Sequence, residues 1–319
     1  MKPPYDVTAS ILKSVTSISE KIGEINAKYL TKQSPTLRKQ NQIKTIHSSL
    51  KIEGNTLTEA QITALIENKP VVGPQKDIRE VINAIEVYNR LASFNFTSEK
   101  DFLTAHQTLL QGLLEKPGSY RTQGVGIVTN SQVKHVAPPF ANVPYLMKEV
   151  FAYLKDKDEL TFIKGCVFHY EMEFIHPFLD GNGRMGRLWQ TVILRHEYPV
   201  FEFLPFESLI SQNQAAYYQA LAKSDKQGKA TSFIEYMLGI IDKSLATLLL
   251  QTTKKLTDTE RTALFLRTAV PEFTRKEYRQ KFPELSSATA SRDLKKAVDN
   301  GLLEKFGDKK TTRYRKPRA

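Results

Sequence analysis

The stretch HPFLDGNGRMGR, residues 176–187, lies between two segments with the apolar spacing of helices and contains three glycines, two arginines, a histidine, an aspartate and an asparagine. Gly181 and Gly183 can adopt backbone conformations that turn consecutive N–H groups toward one anion. A helix is predicted to begin at Arg184, and its N-terminus would favour negative charge at the same place. The stretch therefore predicts a phosphate-binding loop between two helices, with Phe178 as the anchor that holds it on the core.

The charged side chains of this loop indicate the chemistry. Arg184 and Arg187 are three residues apart on the predicted helix and share a face, so they offer two forked donors to phosphate oxygens. Asp180 supplies a hard oxygen of the kind that binds Mg²⁺, and His176 titrates near neutrality and can accept a proton from a hydroxyl. These residues predict transfer of a phosphate-containing group from a Mg²⁺-nucleotide to a hydroxyl. No GxxxxGK[ST] motif occurs, which excludes a P-loop ATPase.

The loop resembles the signature HxFx[D/E]GNGRxxR of the Fic family, and every specified position is met. The resemblance implies a mainly α fold, with an all-helical Fic core that carries a β-hairpin flap. It implies transfer of AMP from ATP to a Ser, Thr or Tyr hydroxyl of a target protein. The Doc-like branch of the family, with its kinase-like reaction, has lysine where this chain has Gly183, so that reaction is not expected. The implied roles are general base for His176, Mg²⁺ ligand for Asp180, phosphate cradle for Gly181, Asn182 and Gly183, and triphosphate clamp for Arg184 and Arg187.

A second short motif, SSLKIEGN at residues 48–55, ends a predicted helix at Gly54. It resembles the inhibitory signature [S/T]xxxE[G/N] of the same family through Ser49, Glu53 and Gly54. The resemblance implies that Glu53 pairs with Arg187, removes the donor for the γ-phosphate and inhibits the enzyme from within the same chain. In some relatives this glutamate positions water for the removal of AMP, so the reverse, hydrolytic activity stays open.

Residues 120–144 break the helical pattern and predict a hairpin with its turn at residues 129–132. In a Fic-like fold, residues 121–137 would form the flap, whose edge pairs with an extended segment of the target protein. Farther along, Asn213 and Tyr217 are four residues apart on a predicted helix. They are candidates for contact with adenine, although packing of Tyr217 in the core is an equally open alternative.

Composition sets further limits. The chain has 319 residues, of which 40% are apolar and 25% charged, which is typical of a globular protein. Its single cysteine, Cys166, excludes a disulfide framework and a cysteine zinc site. No apolar run predicts a membrane span, and we expect a cytoplasmic protein.

Positive charge is concentrated near the C-terminus, where residues 254–319 contain eighteen Lys or Arg and nine Asp or Glu. Three helical segments and two strands around Gly307 and Asp308 predict a winged helix-turn-helix. We expect residues 286–318 to bind DNA. Docking of a protein, dimer contacts and a basic tail without a ligand are the alternatives. The basic residues expected on the wing are Lys309, Lys310, Arg313, Arg315, Lys316 and Arg318.

The predicted organisation has three parts. Residues 1–95 form an N-terminal helical region with the inhibitory helix at about 37–54, residues 96–254 form the catalytic core with the flap, and residues 255–319 form the winged helix. The leading hypothesis is an autoinhibited protein adenylyltransferase that uses Mg²⁺ and ATP. The alternative is a DNA-binding regulator whose core senses a nucleotide. A homodimer is compatible with either hypothesis.

Overall fold

Fourteen α-helices account for most of the described chain, which confirms the mainly α prediction. The computed structural model describes residues 4–27, 35–129, 132–253, 257–268, 272–282, 285–308 and 311–317. The chain divides into two compact units, Met1–Leu250 and Gln251–Ala319. Among the described residues, no helix is both long and apolar enough to cross a membrane.

The first unit contains eleven of the described helices. Their bounds are α1 (Ala9–Ala27), α2 (Pro35–Ile52), α3 (Glu59–Ile66), α4 (Gln75–Asn89), α5 (Glu99–Leu109), α6 (Val143–Tyr153), α7 (Thr161–Ile175), α8 (Asn182–Glu197), α9 (Glu207–Gln212), α10 (Gln214–Gln227) and α11 (Thr231–Thr253). Short 3₁₀ helices occupy Leu91–Ser93, Phe140–Asn142 and Pro199–Phe203.

The helices α7 and α8 form the centre of this unit. Both bury residues on nearly all sides, as expected of helices surrounded by other helices rather than lying on a surface. An aromatic cluster joins them to α5, because the ring of Phe102 lies 5.8 Å from Phe168, 5.2 Å from Trp189 and 5.4 Å from Phe178. Phe178 is fully buried, so it anchors the loop between α7 and α8 on the core.

The end of α2 is set by its sequence. Gly54 has φ of +91°, a conformation that glycine adopts without a steric penalty. Its N–H donates to the carbonyl of Lys51 at 3.1 Å, and the N–H of Asn55 donates to that of Leu50 at 3.1 Å. These two bonds form a Schellman motif. Glu53 is therefore the residue at which the helix ends, and its position relative to α2 is fixed by the backbone.

A two-stranded antiparallel hairpin follows α5. The strands are β1 (Gly126–Thr129) and β2 (Gln132–Val136), with Gly126 opposite Val136 and a register irregularity between Ile127 and Val128. The hairpin falls within the stretch where alternating residues predicted one. The predicted turn includes Asn130 and Ser131, which lie outside the described residues.

The second unit contains the remaining described helices and a small sheet. The elements are α12 (Asp258–Thr268), β3 (Glu272–Phe273), α13 (Arg275–Lys281), α14 (Ser287–Asp299), β4 (Glu304–Phe306) and β5 (Arg313–Arg315). The antiparallel sheet has the order β3-β5-β4, with Tyr314 opposite both Phe273 and Lys305. The sequence predicted the three helices and two strands but not β3. Lys309, Lys310 and Arg318, expected on the wing, lie outside the described residues.

A buried ion pair holds this unit together beside its aromatic core. The carboxylate of Asp293 on α14 accepts from Arg261 Nε at 2.7 Å and Nη2 at 2.8 Å, and from the hydroxyl of Tyr278 at 3.1 Å. Removing one member of such a pair is costly because the other charge stays buried without a partner.

We therefore predict that Asp293→Ala lowers the free energy of unfolding of this unit by about 3 kcal/mol. Native-state hydrogen exchange of the amides in α12 and α14 would measure the loss. Asp299→Ala, an exposed change on the same helix, should alter protection by less than about 0.5 kcal/mol. Equal effects of the two changes would show that the pair does not carry this stability.

Candidate active site

His176 ends α7 in a left-handed conformation, with φ of +50°. Its N–H still donates to the carbonyl of Met172 at 3.1 Å, so the chain leaves the helix at this residue and not before it. A left-handed conformation is uncommon for a residue with a side chain and is found often at functional sites. The half-buried imidazole thus lies at the start of the loop.

Arg121 holds the backbone around His176. Its N–H donates to the carbonyl of Pro177 at 2.9 Å, and its guanidinium donates to the carbonyl of His176 at 2.8 Å and of Ile175 at 3.3 Å. The same side chain donates to the carbonyls of Gln123 and Pro138, on either side of the hairpin. One buried cation therefore ties both ends of the hairpin to the residue expected to act as base. This role of Arg121 could not be predicted from the sequence, because a cation bound only to backbone carbonyls leaves no motif.

His106 supports the middle of the loop. Its ring stacks on Phe178 at 3.6 Å, and it hydrogen-bonds to the N–H of Gly118 through Nδ1 and to the carbonyl of Asp180 through Nε2, at 2.8 and 3.0 Å. Burial lowers the pKa of His106 to about 4, so the ring is neutral at pH 7. Because Nδ1 accepts from Gly118, Nε2 carries the proton and donates to Asp180.

The loop closes on itself through Asn182. Its side chain accepts from the N–H of Phe178 and donates to the carbonyl of Phe178, both at 2.9 Å. Gly181 precedes α8 with φ of +85°, and a Cβ there would lie 2.7 Å from Leu110. Asn182, expected in the phosphate cradle, therefore shapes the loop with its side chain. The first N–H groups of α8 have no acceptor within the helix, and N–H groups in this position favour an anion.

Arg184 is buried and links Asp180 with α4. It donates to Asp180 at 2.8 Å and to Glu80 at 3.1 Å, and Glu80 in turn accepts from the side chain of Asn55 at 2.9 Å. Burial acts to raise the pKa of Asp180, but the charge and hydrogen bond of Arg184 and the N–H of Gly181 outweigh it and lower the pKa. Asp180 is therefore ionised at neutral pH. Glu80, which the sequence did not single out, orients the arginine.

Arg187 has only 1% of its side chain exposed and is bound to the end of α2. Its guanidinium donates to the hydroxyl of Ser49 at 3.1 Å, to the carbonyl of Ser49 at 3.0 Å and to the carboxylate of Glu53 at 2.7 Å. Burial acts to lower the pKa of Arg187, but Glu53 and, more weakly, Glu173 raise it above its usual value. The guanidinium is thus fully charged and is occupied by α2.

Glu53 lies over the first turn of α8. A Cβ built on Gly183 would lie 2.6 Å from the Glu53 carboxylate, 3.1 Å from Arg187 and 3.3 Å from Glu173. Any larger residue at this position would displace Glu53. The carboxylate of Glu53 therefore occupies the region in which the N–H groups of α8 favour a phosphate.

Tyr217 and Asn213, the candidates for adenine contact, have other partners. Tyr217 is 1% exposed, and its hydroxyl bonds to Glu173 and to His169, both at 2.9 Å. Asn213 precedes α10 and accepts from the N–H of Ala216 at 3.3 Å. Tyr217 thus packs in the core and orients Glu173. The neighbouring Tyr218, in contrast, is 49% exposed to solvent.

Asp180 is the one carboxylate that residues 176–187 themselves offer to a divalent cation. The described residues contain no group of three or more His, Cys, Asp or Glu side chains that could hold a metal by themselves. The side chain of Asp180 is 46% exposed and ionised. One carboxylate fits Mg²⁺ that keeps several waters and shares the phosphates of a nucleotide, and it does not fit a metal held by protein alone.

Comparison with protein-family models matches residues 96–194 to the Fic/DOC family. A crystal structure of a Fic family protein from Desulfovibrio desulfuricans G20 is 38% identical with a TM-score of 0.78, and the alignment covers 99% of this chain and 98% of that chain.

Some more distant relatives are named for an enzymatic activity. Protein adenylyltransferase Fic of Drosophila sechellia is 26% identical over an alignment of 220 residues, which covers 65% of this chain and 42% of that protein. The chain thus spans less than half the length of the curated relatives it matches. The structure of Fic-1 from C. elegans, residues 134–508, is 22% identical with a TM-score of 0.64, covers 77% of this chain and 74% of that one, and shows a shared fold.

The neutral state of His106 predicts a dependence of stability on pH. Between pH 6.5 and 4 the unfolded chain binds a proton at this histidine and the folded chain does not, so the free energy of unfolding falls as the pH falls. Above pH 6.5 both states are neutral and the effect vanishes. From pH 7 to pH 5, His106 should account for about 2 kcal/mol of the loss.

Urea unfolding of the wild type and of His106→Gln at pH 7 and pH 5 measures this contribution. We expect the variant to be less stable at pH 7 but to lose about 2 kcal/mol less on acidification. The same loss in both proteins would mean that His106 is not held neutral by the fold.

Proposed function

Because this chain belongs to the Fic family, we propose that it is a protein adenylyltransferase that transfers AMP from ATP to a Ser, Thr or Tyr hydroxyl of a target protein. The observation that carries the proposal is the arrangement of one loop. From the left-handed His176 to the second turn of α8, the chain carries a candidate base, an ionised carboxylate and two buried arginines. Distant homology to protein adenylyltransferases agrees with this arrangement.

In the proposed reaction, the target hydroxyl attacks the α-phosphorus of ATP while His176 accepts its proton. A bond forms between the hydroxyl oxygen and the α-phosphorus, the bond from that phosphorus to the bridging oxygen breaks, and pyrophosphate leaves. The contribution of the protein is mainly positioning and neutralisation of charge. Arg121 supports this role of His176, since it holds the carbonyls of three consecutive residues around the base.

The triphosphate would lie at the first turn of α8. The N–H groups there favour one phosphate, and Arg184 and Arg187 would bind others. Asp180 would hold Mg²⁺ together with phosphate oxygens and water. When bound, Mg²⁺ supplies positive charge that offsets the charge developing on the phosphate oxygens.

We assign the hairpin formed by β1 and β2, within the predicted flap at residues 121–137, to docking of the target. A two-stranded hairpin keeps an open backbone edge, and an extended segment can pair with such an edge with little demand on its sequence. Arg121 supports this assignment because it connects the two ends of the hairpin to His176. The acceptor hydroxyl would thereby be positioned relative to the base.

We further propose that Glu53 inhibits the enzyme by competing with ATP for Arg187. A buried guanidinium needs a partner of opposite charge, and in this structure the partner is Glu53 at 2.7 Å. While Arg187 donates to Glu53, the same N–H group cannot donate to the γ-phosphate of ATP. Ser49 contributes by holding the guanidinium against α2 with two further hydrogen bonds.

Removal of AMP is a second candidate activity, favoured by the position of the same carboxylate. Glu53 lies over the first turn of α8 and is 30% exposed, so it could position a water molecule near a phosphate bound there. This activity requires Glu53, whereas AMP transfer requires its displacement.

Glu53→Gly should increase AMP transfer at least ten-fold, because Arg187 becomes available to ATP. The measurement is incorporation of label from [α-³²P]ATP into target proteins in a lysate and into the enzyme itself. Label from [γ-³²P]ATP should not be incorporated. Lys51→Gly, an exposed change in the same turn of α2, loosens the helix without removing the carboxylate and should leave transfer at the wild-type level.

The double variant Glu53→Gly with His176→Ala should show no transfer, since the base is missing. Transfer that persists in the double variant would rule out His176 as the base, and equal labelling by Glu53→Gly and wild type would rule out inhibition by Glu53. Loss of AMP from a labelled target on incubation with wild type, but not with Glu53→Gln, would identify AMP removal instead.

A further inference from the structure

The second unit contains a groove of about 1130 Å³ bounded by α13, α14 and the strands β4 and β5. Five basic side chains line it and only one carboxylate does. The basic residues are Arg275, Lys276 and Arg279 on α13, Lys295 on α14 and Lys305 on β4, and the carboxylate is Asp299. The groove is therefore strongly positive, unlike the nearly balanced first unit.

Four acidic residues of this unit are ion-paired with cations that do not line the groove. The pairs are Arg261–Asp293, Lys296–Asp258, Arg313–Glu272 and Arg315–Glu304. Among the described residues, the five groove cations form no ion pair. Because carboxylates neutralise cations outside the groove but not the five cations that line it, positive potential is concentrated in the groove. A polyanion would be attracted there.

One face of α14 presents small and basic residues to the groove. Ser287, Ser291 and Lys295 follow each other at intervals of four, so they lie on the same side of the helix. Arg275 donates to the hydroxyl of Ser291 at 2.8 Å, and Arg279 to that of Ser287 at 3.4 Å. The arginines of α13 are thus held beside α14, at a helix surface without bulky side chains that would keep a ligand at a distance.

We propose that this groove binds duplex DNA, with α14 in the major groove. The order of three helices and a small antiparallel sheet is that of a winged helix, in which the last helix enters the major groove. Lys276 and Arg275, at the start of α13, and Lys305 on β4 contact phosphates on either side. The hydroxyls of α14 and Lys295 reach the base edges.

The chemistry favours DNA over a protein or RNA. Protein interfaces have an apolar centre, whereas the groove is lined mainly by charged and hydroxyl side chains, and the one large apolar side chain recorded as exposed among the described residues of this unit is Leu302, outside the groove. The major groove of A-form RNA is too narrow for a helix. A polyanion with a wide groove is the ligand that fits both the charge and the shape.

The test uses the full chain and a fluorescein-labelled 20-base-pair duplex of random sequence, with binding followed by anisotropy. We expect micromolar affinity at 50 mM salt and a loss of about a hundred-fold or more at 200 mM salt, as for four to five phosphate contacts. A single-stranded DNA and an RNA hairpin of equal length serve as competitors. Both should compete less well than unlabelled duplex.

Charge reversal tests the groove directly. Lys276→Glu and Lys295→Glu should each weaken binding about ten-fold at 50 mM salt, because each removes one phosphate or base contact. Lys281→Glu changes the net charge equally on an exposed position of α13 outside the groove, and it should stay within about two-fold of wild type. Circular dichroism checks that all variants are folded.

Three results would overturn the proposal. The first is no change in anisotropy at 50 µM protein and 50 mM salt. The second is equal weakening by Lys281→Glu, which would show attraction to overall charge rather than to the groove. The third is better competition by RNA or single-stranded DNA than by duplex, which would assign the groove to another nucleic acid.

Discussion

The ion pair between Arg187 and Glu53 is the contact that joins the end of α2 to α8 at the candidate active site. A guanidinium that is almost completely buried cannot stay without a partner, because desolvation of an unpaired charge costs several kcal/mol. The Schellman motif at Gly54 fixes where Glu53 lies, and Ser49 supplies the remaining hydrogen bonds. The helix α2 is therefore held against α8 by the arginine that we propose as a ligand of the triphosphate. In the proposed mechanism, binding of ATP and release of Glu53 are one exchange of anions.

The loop that leads into α8, the helix of Arg187, is held in place by buried polar side chains. Neutral His106 donates to the carbonyl of Asp180, Asn182 binds both backbone groups of Phe178, and Arg121 holds the carbonyls around His176. A second chain of contacts runs from Asn55 through Glu80 and Arg184 to Asp180. Two separate connections therefore join the end of α2 to the proposed phosphate site, one through each arginine.

Local sequence signals predicted much of this architecture. The features that depend on contacts between residues distant in the sequence were not predicted. Helical spacing and the positions of glycines predicted the helices, the loop at 176–187 and the end of α2 at Gly54. Each of these features depends on residues that are close in the sequence. Arg121, His106, Glu80 and Glu173 were not singled out, since their roles depend on partners 40 to 100 residues away or on carbonyls that carry no sequence signal. Similarly, β3 has only two residues and exists through pairing with β5, about 40 residues later. The sequence left open whether Tyr217 contacts adenine or packs in the core, and its burial shows that it packs in the core.

The proposed competition between Glu53 and the γ-phosphate for Arg187 can be measured by calorimetric titration of ATP, ADP and AMP into wild type and Glu53→Gln. Glutamine keeps the size of the side chain and removes its charge, so the comparison isolates the ion pair. We expect the variant to bind ATP at least ten-fold more tightly and to bind AMP with unchanged affinity, because only ATP has the γ-phosphate. An equal gain for all three nucleotides, or no gain for ATP, would contradict it.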